Sequence, residues 1–344
     1  MSLGRCSKVV TRELHCKRQE SRIHTTSLSP VGVTIKVPKQ TDFVDAGVRL
    51  ICQGRTHCDP DQDSNMTHWE QDIIPEYLHH TYWWAYLHPQ AVRFWERQWL
   101  VNLILWGNFN ALREEALRHV QDHFLNGESG TKNILQIACV YGNLSEHLVS
   151  KILLNRNNKQ QSTSDSKYNY HIVDIAPIQL KNTFEKLAYR IERLNPKTLT
   201  VNKNDYNRSS VDILLDQQNS SQLSFETGSM DCVLLFFLLH EQPLDVRVKT
   251  LNEAIRVMKD ELIIVDYHQP VHRLNPWKYF MKQVLTRLEP FAMDLWNHDI
   301  SQWIDPHYRS QVHIAEKKLY FDGLYQKVVI RKIEQKDTSD HSTA

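Results

Sequence analysis

Asp231-Cys-Val-Leu-Leu-Phe-Phe-Leu-Leu-His-Glu-Gln-Pro243 sets the architecture of this chain. Cys232 to Leu239 is an unbroken run of eight apolar residues. That length predicts a strand buried on both faces, as in a parallel sheet. The run turns polar at His240, Glu241 and Gln242, and Pro243 closes it. Ligands of open α/β sheets bind beyond the carboxyl ends of the strands. Taken alone, the segment reads equally well as a buried strand followed by an ordinary polar loop.

A second strand end tips the balance. Glu261-Leu-Ile-Ile-Val-Asp-Tyr-His268 is another short apolar run, ending in Asp266, Tyr267 and His268. Between the two runs, Asp245 to Met258 repeats Val246, Thr250, Ala254 and Val257 at helical spacing. Strand, helix and strand of these lengths predict a βαβ crossover with parallel strands. Both polar ends then fall on one sheet edge, where His240, Glu241, Asp266 and His268 are expected to converge.

The 344 residues suit one large or two small domains, and the 41% apolar fraction supports a sizeable core. Nine Trp and thirteen Tyr point to a roomy apolar pocket or a membrane-facing surface, and they also fill cores. A net charge of +1 without a basic motif gives no sign of nucleic-acid binding. Cys52 and Cys58 lie close together, but no second pair completes a zinc pattern. Cys139 and Cys232 sit in apolar strand contexts, as inert core thiols do.

Residues 1–40 differ in kind. Arg5, Lys8, Arg12, Lys17, Arg18, Arg22, Lys36 and Lys39 face only Glu13 and Glu20, and no apolar core of a secretory signal is present. This composition predicts a mitochondrial transit peptide, with a disordered basic tail as the alternative. Residues 41–67 read as a linker, 68–125 as a helical, aromatic cap, 126–332 as the α/β domain and 333–344 as a polar tail. No window reaches the roughly 18 uninterrupted apolar residues of a membrane span. Trp95 to Trp106 comes nearest, and reads either as an interfacial helix or as a packing helix with a lid role.

Along the folded part, Tyr77, Tyr82, Trp83, Trp84 and Tyr86 open the cap, and a helix is expected after Pro89. A second helix is expected over Asn110 to Phe124. Asn133-Ile-Leu-Gln-Ile-Ala-Cys-Val-Tyr-Gly142 then reads as strand and tight turn before a helix, the first unit of a nucleotide-binding fold, although only Gly142 remains of the glycine fingerprint. Tyr170-His-Ile-Val-Asp174 is the second strand. An acid at its end accepts ribose hydroxyls in such folds, though usually about 20 residues past the glycines. Asp174 stands 32 residues past Gly142, and the polar insertion over 155–169 accounts for the excess. Asp174 as an N-cap for the helix near Pro177 is the competing reading. Residues 202–222 read as a second insertion around a short strand. A helix is expected over Trp277 to Leu288, followed by the aromatic segment Pro290 to Trp296. Asp322-Gly323 between Ile314–Phe321 and Leu324–Ile330 signals an antiparallel hairpin. An antiparallel pair after parallel strands is the usual ending of S-adenosylmethionine (SAM) methyltransferase folds.

Six motifs carry a resemblance, and the last four of them are specific: Leu135-Gln-Ile-Ala-Cys-Val-Tyr-Gly142, Val173-Asp-Ile-Ala-Pro-Ile-Gln-Leu180, Val233-Leu-Leu-Phe-Phe-Leu-Leu-His-Glu-Gln-Pro243, Ile264-Val-Asp-Tyr-His268, Glu289-Pro-Phe-Ala-Met-Asp-Leu-Trp296 and Gly323-Leu-Tyr-Gln-Lys-Val-Val-Ile330. In matching order over about residues 75–330, they resemble the RquA family of rhodoquinone biosynthesis, which is related to class I SAM methyltransferases. The resemblance implies a class I methyltransferase-like, Rossmann-like α/β sheet, mostly parallel, with helices on both faces, an antiparallel C-terminal hairpin and an N-terminal helical cap. It implies that SAM binds and that ubiquinone becomes rhodoquinone when an amino group replaces a ring methoxy group. The family is understood to draw the amino group from SAM and to use a divalent metal, with manganese favoured.

Carried over by position, Ala138, Val140, Tyr141 and Gly142 line the SAM site. Asp174 then holds the ribose, Ile175 lies beside the adenine, and Asn219 and Ser220 follow. Asn219 replaces an acid of the family pattern, and Asn143 stands where an acid is expected after Tyr-Gly. An amide still accepts a hydrogen bond but carries no charge. Catalysis is expected from His240, Glu241, Asp266, Tyr267 and His268. Glu241, Asp266 and His268 are the expected metal ligands, and in the metal-free alternative His240 and His268 position the ring by hydrogen bonds. Tyr82, Trp83, Tyr86, Trp106, Asp294 and Trp296 are the expected quinone contacts, with the chain resting on the matrix side of the mitochondrial inner membrane. Two other readings use the same residues: a SAM-dependent quinone methyltransferase, separated only by its product, and a non-catalytic SAM-fold subunit, which would bind SAM without turnover.

Overall fold

The computed structural model describes residues 36–38, 43–45, 48–53, 66–68, 73–126, 130–159, 166–194, 211–270 and 276–333. The strands are β1 (Lys36–Pro38), β2 (Phe43–Asp45), β3 (Val48–Gln53), β4 (Met66–His68), β5 (Thr131–Ile137), β6 (Lys167–Asp174), β7 (Val211–Gln217), β8 (Met230–Phe236), β9 (Met258–Tyr267), β10 (Val312–Tyr320) and β11 (Tyr325–Lys332). Nine of them form one sheet in the order β10-β11-β9-β8-β5-β6-β7-β3-β2. Strands β9, β8, β5, β6, β7 and β3 run parallel, while β11, β10 and β2 run antiparallel to their neighbours. This is the expected class I methyltransferase-like sheet, extended at one edge by β3 and β2.

The apolar run of β8 explains its central place. Cys232, Leu234 and Phe236 bury into one core layer, and Val233 and Leu235 into the other. Both faces are therefore covered, as period-2 alternation in a parallel sheet requires. The cap helices are α1 (Glu76–Thr81), α2 (Trp83–Tyr86), α3 (Pro89–Trp95) and α4 (Gln98–Ile104). Helix α5 (Phe109–Val120) continues through a wider turn at Gln121–Leu125, followed by α6 (Leu144–Lys159) and α7 (Pro177–Leu194). All three pack on the first layer through Leu112, Ala116, Leu144, Leu148, Leu180 and Leu187. Helix α8 (Leu244–Val257) packs on the second through Leu251, Ala254 and Ile255. Next come α9 (Pro276–Leu288), α10 (Met293–Asn297) and α11 (Pro306–Arg309).

Two expectations need correction, and a third lies almost wholly outside the described residues. The described residues within 41–67 are strand: β3 joins the sheet beside β7, and β4 pairs with β1. Val48 and Leu50 are fully buried, while Arg49 between them faces outward and makes a bidentate pair with Asp212 at 2.7 and 2.6 Å. Trp95 to Trp106 is not a single helix, because α3 stops at Trp95, α4 starts at Gln98, and Trp106 and Gly107 both take left-handed backbone. The basic leader lies outside the described residues except for Lys36–Pro38, which is strand β1.

The chain runs outward from β5 through β6 to β7 on one side and begins again at β8 on the other. That reversal makes the β5/β8 crevice the switch point of the sheet, where such folds bind ligands.

Candidate active site at the sheet switch point

Strands β5 and β8 end alike. After β5, Ala138 takes a left-handed backbone with φ 74° and donates its N–H to Val173 O at 2.8 Å. After β8, Phe237 has φ 54° and donates to Val265 O at 2.7 Å. Each such non-glycine residue costs about 1–2 kcal/mol, which the surrounding structure must supply.

Asp174 binds the first turn. Its Oδ2 accepts from Cys139 N at 2.6 Å and its Oδ1 from Ala176 N at 2.8 Å. Burial pushes its pKa up to about 6, while these N–H donors oppose the rise. Ala176 stands one residue ahead of α7, so Asp174 closes the turn and is not the cap of the helix. With Ala138, Ile175, Gln218, Ser220 and Gln242, it lines a hollow of about 560 Å³. Gln242 Oε1 in that wall is buried and has no hydrogen-bond partner.

The rest of the turn is fixed by packing. Gly142 has φ 88°, and a Cβ there would stand 2.7 Å from Phe109 Cζ. Its carbonyl accepts from Lys186 Nζ at 2.6 Å, and Lys186 also pairs with Glu96. Burial raises Glu96 to about 7 despite that lysine. Gln136, two residues before Ala138, is fully buried and neutral, and it bonds Tyr170 Oη, Ser145 Oγ and Ala138 O. The Asn143 side chain is taken by Arg113, and that of Asn219 by its own turn at Ser221. Val140 and Tyr141 line a second hollow instead of the first, and Gly142 and Asn219 line neither.

That second hollow holds about 1070 Å³ and shares Tyr86, Ala138, Cys139, Leu238 and Glu241 with the first. Its walls are apolar, from Trp95, Val101, Phe109, Phe236, Phe237 and Tyr267. Trp84, Ile104 and Leu288 also line it and are themselves solvent-exposed, so the hollow continues into an apolar rim.

One inner wall is polar. His240 and Glu241 lie in the tight turn Leu239–Glu241 after β8. Asp266, fully buried at the end of β9, accepts from Leu239 N at 2.9 Å, His240 N at 3.3 Å and Tyr267 N at 2.7 Å. Its Oδ1 also stands 2.9 Å from His240 Nδ1. Burial works against the imidazolium, but Asp266 outweighs it and lifts His240 to about 9. Burial lifts Glu241 to about 8 against the pull of His240, whose Nε2 lies 3.8 Å away. Glu289, just past α9, is likewise raised by burial. Tyr86 Oη donates to Glu241, and Tyr82 Oη donates to Glu289 Oε2 at 2.8 Å. Tyr267 stands edge-on to His240, with ring centroids 4.8 Å apart.

The structure thus brings His240, Glu241, Asp266 and Tyr267 together and leaves His268 out. His268 Nδ1 faces Gly323 O at 2.9 Å in the β10–β11 turn. The expected metal set of Glu241, Asp266 and His268 does not form, because Asp266 is consumed by backbone donors and His240 while His268 turns away. Among the described residues, only His119, His123 and Glu261 have ligand atoms within 4.8 Å of one another. They come from α5, the turn after it and β9, line neither hollow, and Arg331 already pairs with Glu261.

Of the expected quinone contacts, Tyr82 and Tyr86 line the large hollow. Trp83 is 53% exposed, and Trp106 packs edge-on against Phe280. Asp294 pairs with the buried Arg247 at 3.0 Å, and Trp296 is core. Sequence reasoning missed Glu289, Glu96 and Lys186 as site residues. Only the motif position of Glu289 was a signal, since the tyrosine and lysine partners lie up to 207 residues away in sequence.

No protein-family model matches the chain, and no curated protein matches it. Solved structures do. Magnesium protoporphyrin IX methyltransferase (ChlM) from Synechocystis PCC 6803 with bound SAM is 10% identical, with 77% of this chain and 100% of that chain covered and a TM-score of 0.41. A SAM-dependent methyltransferase from Methanosarcina mazei is 16% identical over 62% and 97%, with a TM-score of 0.39. Mitomycin 7-O-methyltransferase (MmcR) is 14% identical over 71% and 58%, with a TM-score of 0.42.

Proposed function

We propose that this chain is a SAM-dependent transferase acting on ubiquinone, which it converts to rhodoquinone by replacing a ring methoxy group with an amino group. The observation that supports this most is the pair of joined hollows. One sits at the sheet switch point, where Asp174, Gln179, Gln218, Ser220 and Gln242 add polar groups to an apolar lining. The other is large and apolar and opens onto an apolar rim.

The residues of the smaller hollow fit SAM. Asp174 keeps lone pairs for ribose hydroxyls, Ile175 offers an apolar side for adenine, and Ser220 lies close by. The unpartnered Gln242 Oε1 offers an acceptor to the methionine amino group. SAM supplies an activated sulfonium-bound group when it is present. Phe237, Tyr267 and Trp95 then flank a ring in the larger hollow, and the His240–Asp266 pair holds a proton at its polar wall. The donors near His240 do not fit a divalent ion, so no step of this proposal passes through manganese.

An apolar surface fits a membrane-resident substrate. Phe94, Trp99, Leu103 and Ile104 of the cap and Tyr279, Phe280 and Leu288 of α9 are all exposed. No described helix is long and apolar enough to cross a membrane, so peripheral contact is the proposed mode. The inner mitochondrial membrane, approached from the matrix, is the proposed address, on the basic leader.

Quinone methylation is the second reading. It is favoured by His240, which lines the hollow with Asp266 behind it and, once deprotonated above its raised pKa of about 9, can accept a ring hydroxyl proton. Mass analysis of quinones from ubiquinone-containing cells expressing the chain separates the readings. Aminoquinone is the expected product. A methylated quinone would favour the second reading, and SAM binding with no new quinone would leave a non-catalytic subunit.

A further inference from the structure

We infer that the exposed rim of the large hollow docks on an anionic phospholipid bilayer, through cations set among its apolar side chains. This rests on the proposed reading of a membrane-borne quinone and specifies the charge of the surface the chain meets. Two parts of the fold build the rim: α3 and α4 of the cap, and α9. They form one face. Ile104 and Leu288 are both exposed and both line the hollow, and the Trp106 ring meets Phe280 edge-on with centroids 6.0 Å apart. Phe94, Trp99, Leu103 and Tyr279 on the same elements also stand out to solvent.

Charge decides what covers this face. Over the whole chain 41 Lys and Arg balance 40 Asp and Glu. Residues 89–104 and 276–288 break that balance, with five cations, Arg93, Arg97, Lys278, Lys282 and Arg287, against one acid, Glu96. Glu96 is turned inward, where Lys186 pairs with it beside the cofactor turn. Arg93, Arg97, Lys282 and Arg287 are exposed, and among the described residues no carboxylate pairs with any of the four. Arg97 lies over the exposed Phe94 ring, 5.4 Å from its centroid, so cation and ring share one patch. Long cationic side chains at such a surface lay their methylene stems along apolar groups and extend the charge to the headgroup layer. A second copy of this face would set cations against cations, and a neutral bilayer would leave them unanswered. Anionic headgroups answer them while the apolar groups between enter the lipid.

Near an anionic leaflet each Lys or Arg contributes about 5-fold in affinity, so removing two should weaken binding about 30-fold. The test is sedimentation of the full chain with vesicles of phosphatidylcholine alone and of phosphatidylcholine mixed with phosphatidylglycerol. Arg5, Lys8, Arg12, Lys17, Arg18 and Arg22 are replaced by Gln throughout, so that the basic leader adds nothing to either measurement. Binding should be tighter to the vesicles holding phosphatidylglycerol, and the excess should fade as salt is raised. Arg93→Gln with Arg97→Gln should remove about 30-fold of the anionic binding and leave binding to neutral vesicles unchanged. Lys282→Gln with Arg287→Gln carries the same expectation and decides the matter if the cap pair lowers the melting temperature. Equal binding to both vesicles, or an anionic preference undiminished in the folded variants, would overturn the inference and leave an uncharged membrane contact, and the quinone reading, intact. Binding to neither vesicle would remove the peripheral contact of that reading, and the inference with it.

Discussion

At the residue scale the site is organised by buried carboxyl groups. Asp174 is the one on which cofactor binding should depend most directly. Asp174→Asn keeps one acceptor for the turn but loses the charge. A charge-assisted hydrogen bond contributes about 1.5–3 kcal/mol, so the affinity for SAM should fall roughly 10- to 100-fold by calorimetry. Unchanged affinity would reduce Asp174 to a turn-closing residue. Glu241 gives a pH signature. Its pKa is raised from 4.5 to about 8, so the folded state disfavours its ionised form. The neutral form stabilises the fold fully below the unfolded value, and this contribution is lost as pH rises through about 8. Glu241→Gln should therefore melt above the wild type at about pH 9, and the gap should close near pH 5. A gap independent of pH would mean that Glu241 is not ionising within the fold. Neither role was legible in the sequence alone. His240, Glu241 and Asp266 could be found as polar residues ending apolar runs. That Asp266 spends itself on three backbone N–H groups, and that Glu289 joins Glu241, depends on packing between distant segments.

At the element scale, the strands buried on both faces were the easiest to read, because β8 carries the apolar run Cys232–Phe236 and β9 the run Leu262–Val265. Strand β3 hid in a segment whose surroundings look like linker. Only the alternation of Val48 and Leu50 around Arg49 betrayed it, and six residues are too few for a period-2 pattern to stand out. Its burial makes it structural. Leu50→Ala should destabilise the fold by about 2–5 kcal/mol in chemical denaturation, with SAM affinity unchanged in what remains folded. A change below about 0.5 kcal/mol, the usual surface value, would mean that β3 is dispensable. The cap shows the opposite limit. Its aromatic content was evident, but helix–turn–helix breaks at Trp95–Gln98 and Trp106–Gly107 left no clear mark in the pattern.

At the scale of the whole molecule, the apolar rim and the basic leader make two separable claims. Charged replacements of Trp99 and Leu103, which are 59% and 60% exposed, should weaken sedimentation with anionic liposomes without lowering the melting temperature. Undiminished sedimentation would remove the rim as a membrane contact. A reporter fused to residues 1–45 should enter mitochondria, and diffuse cytosolic signal would refute the address. The molecule has one more property that follows from its geometry. Tyr86 and Glu241 belong to both hollows at once. The two cavities are therefore a single thermodynamic system. If cofactor binding changes the proton affinity of Glu241, it changes the affinity for the second ligand, and the second must change that for the first by the same factor. The order of arrival then affects only the route, and proton uptake or release on assembling the ternary complex is the same whichever ligand comes first.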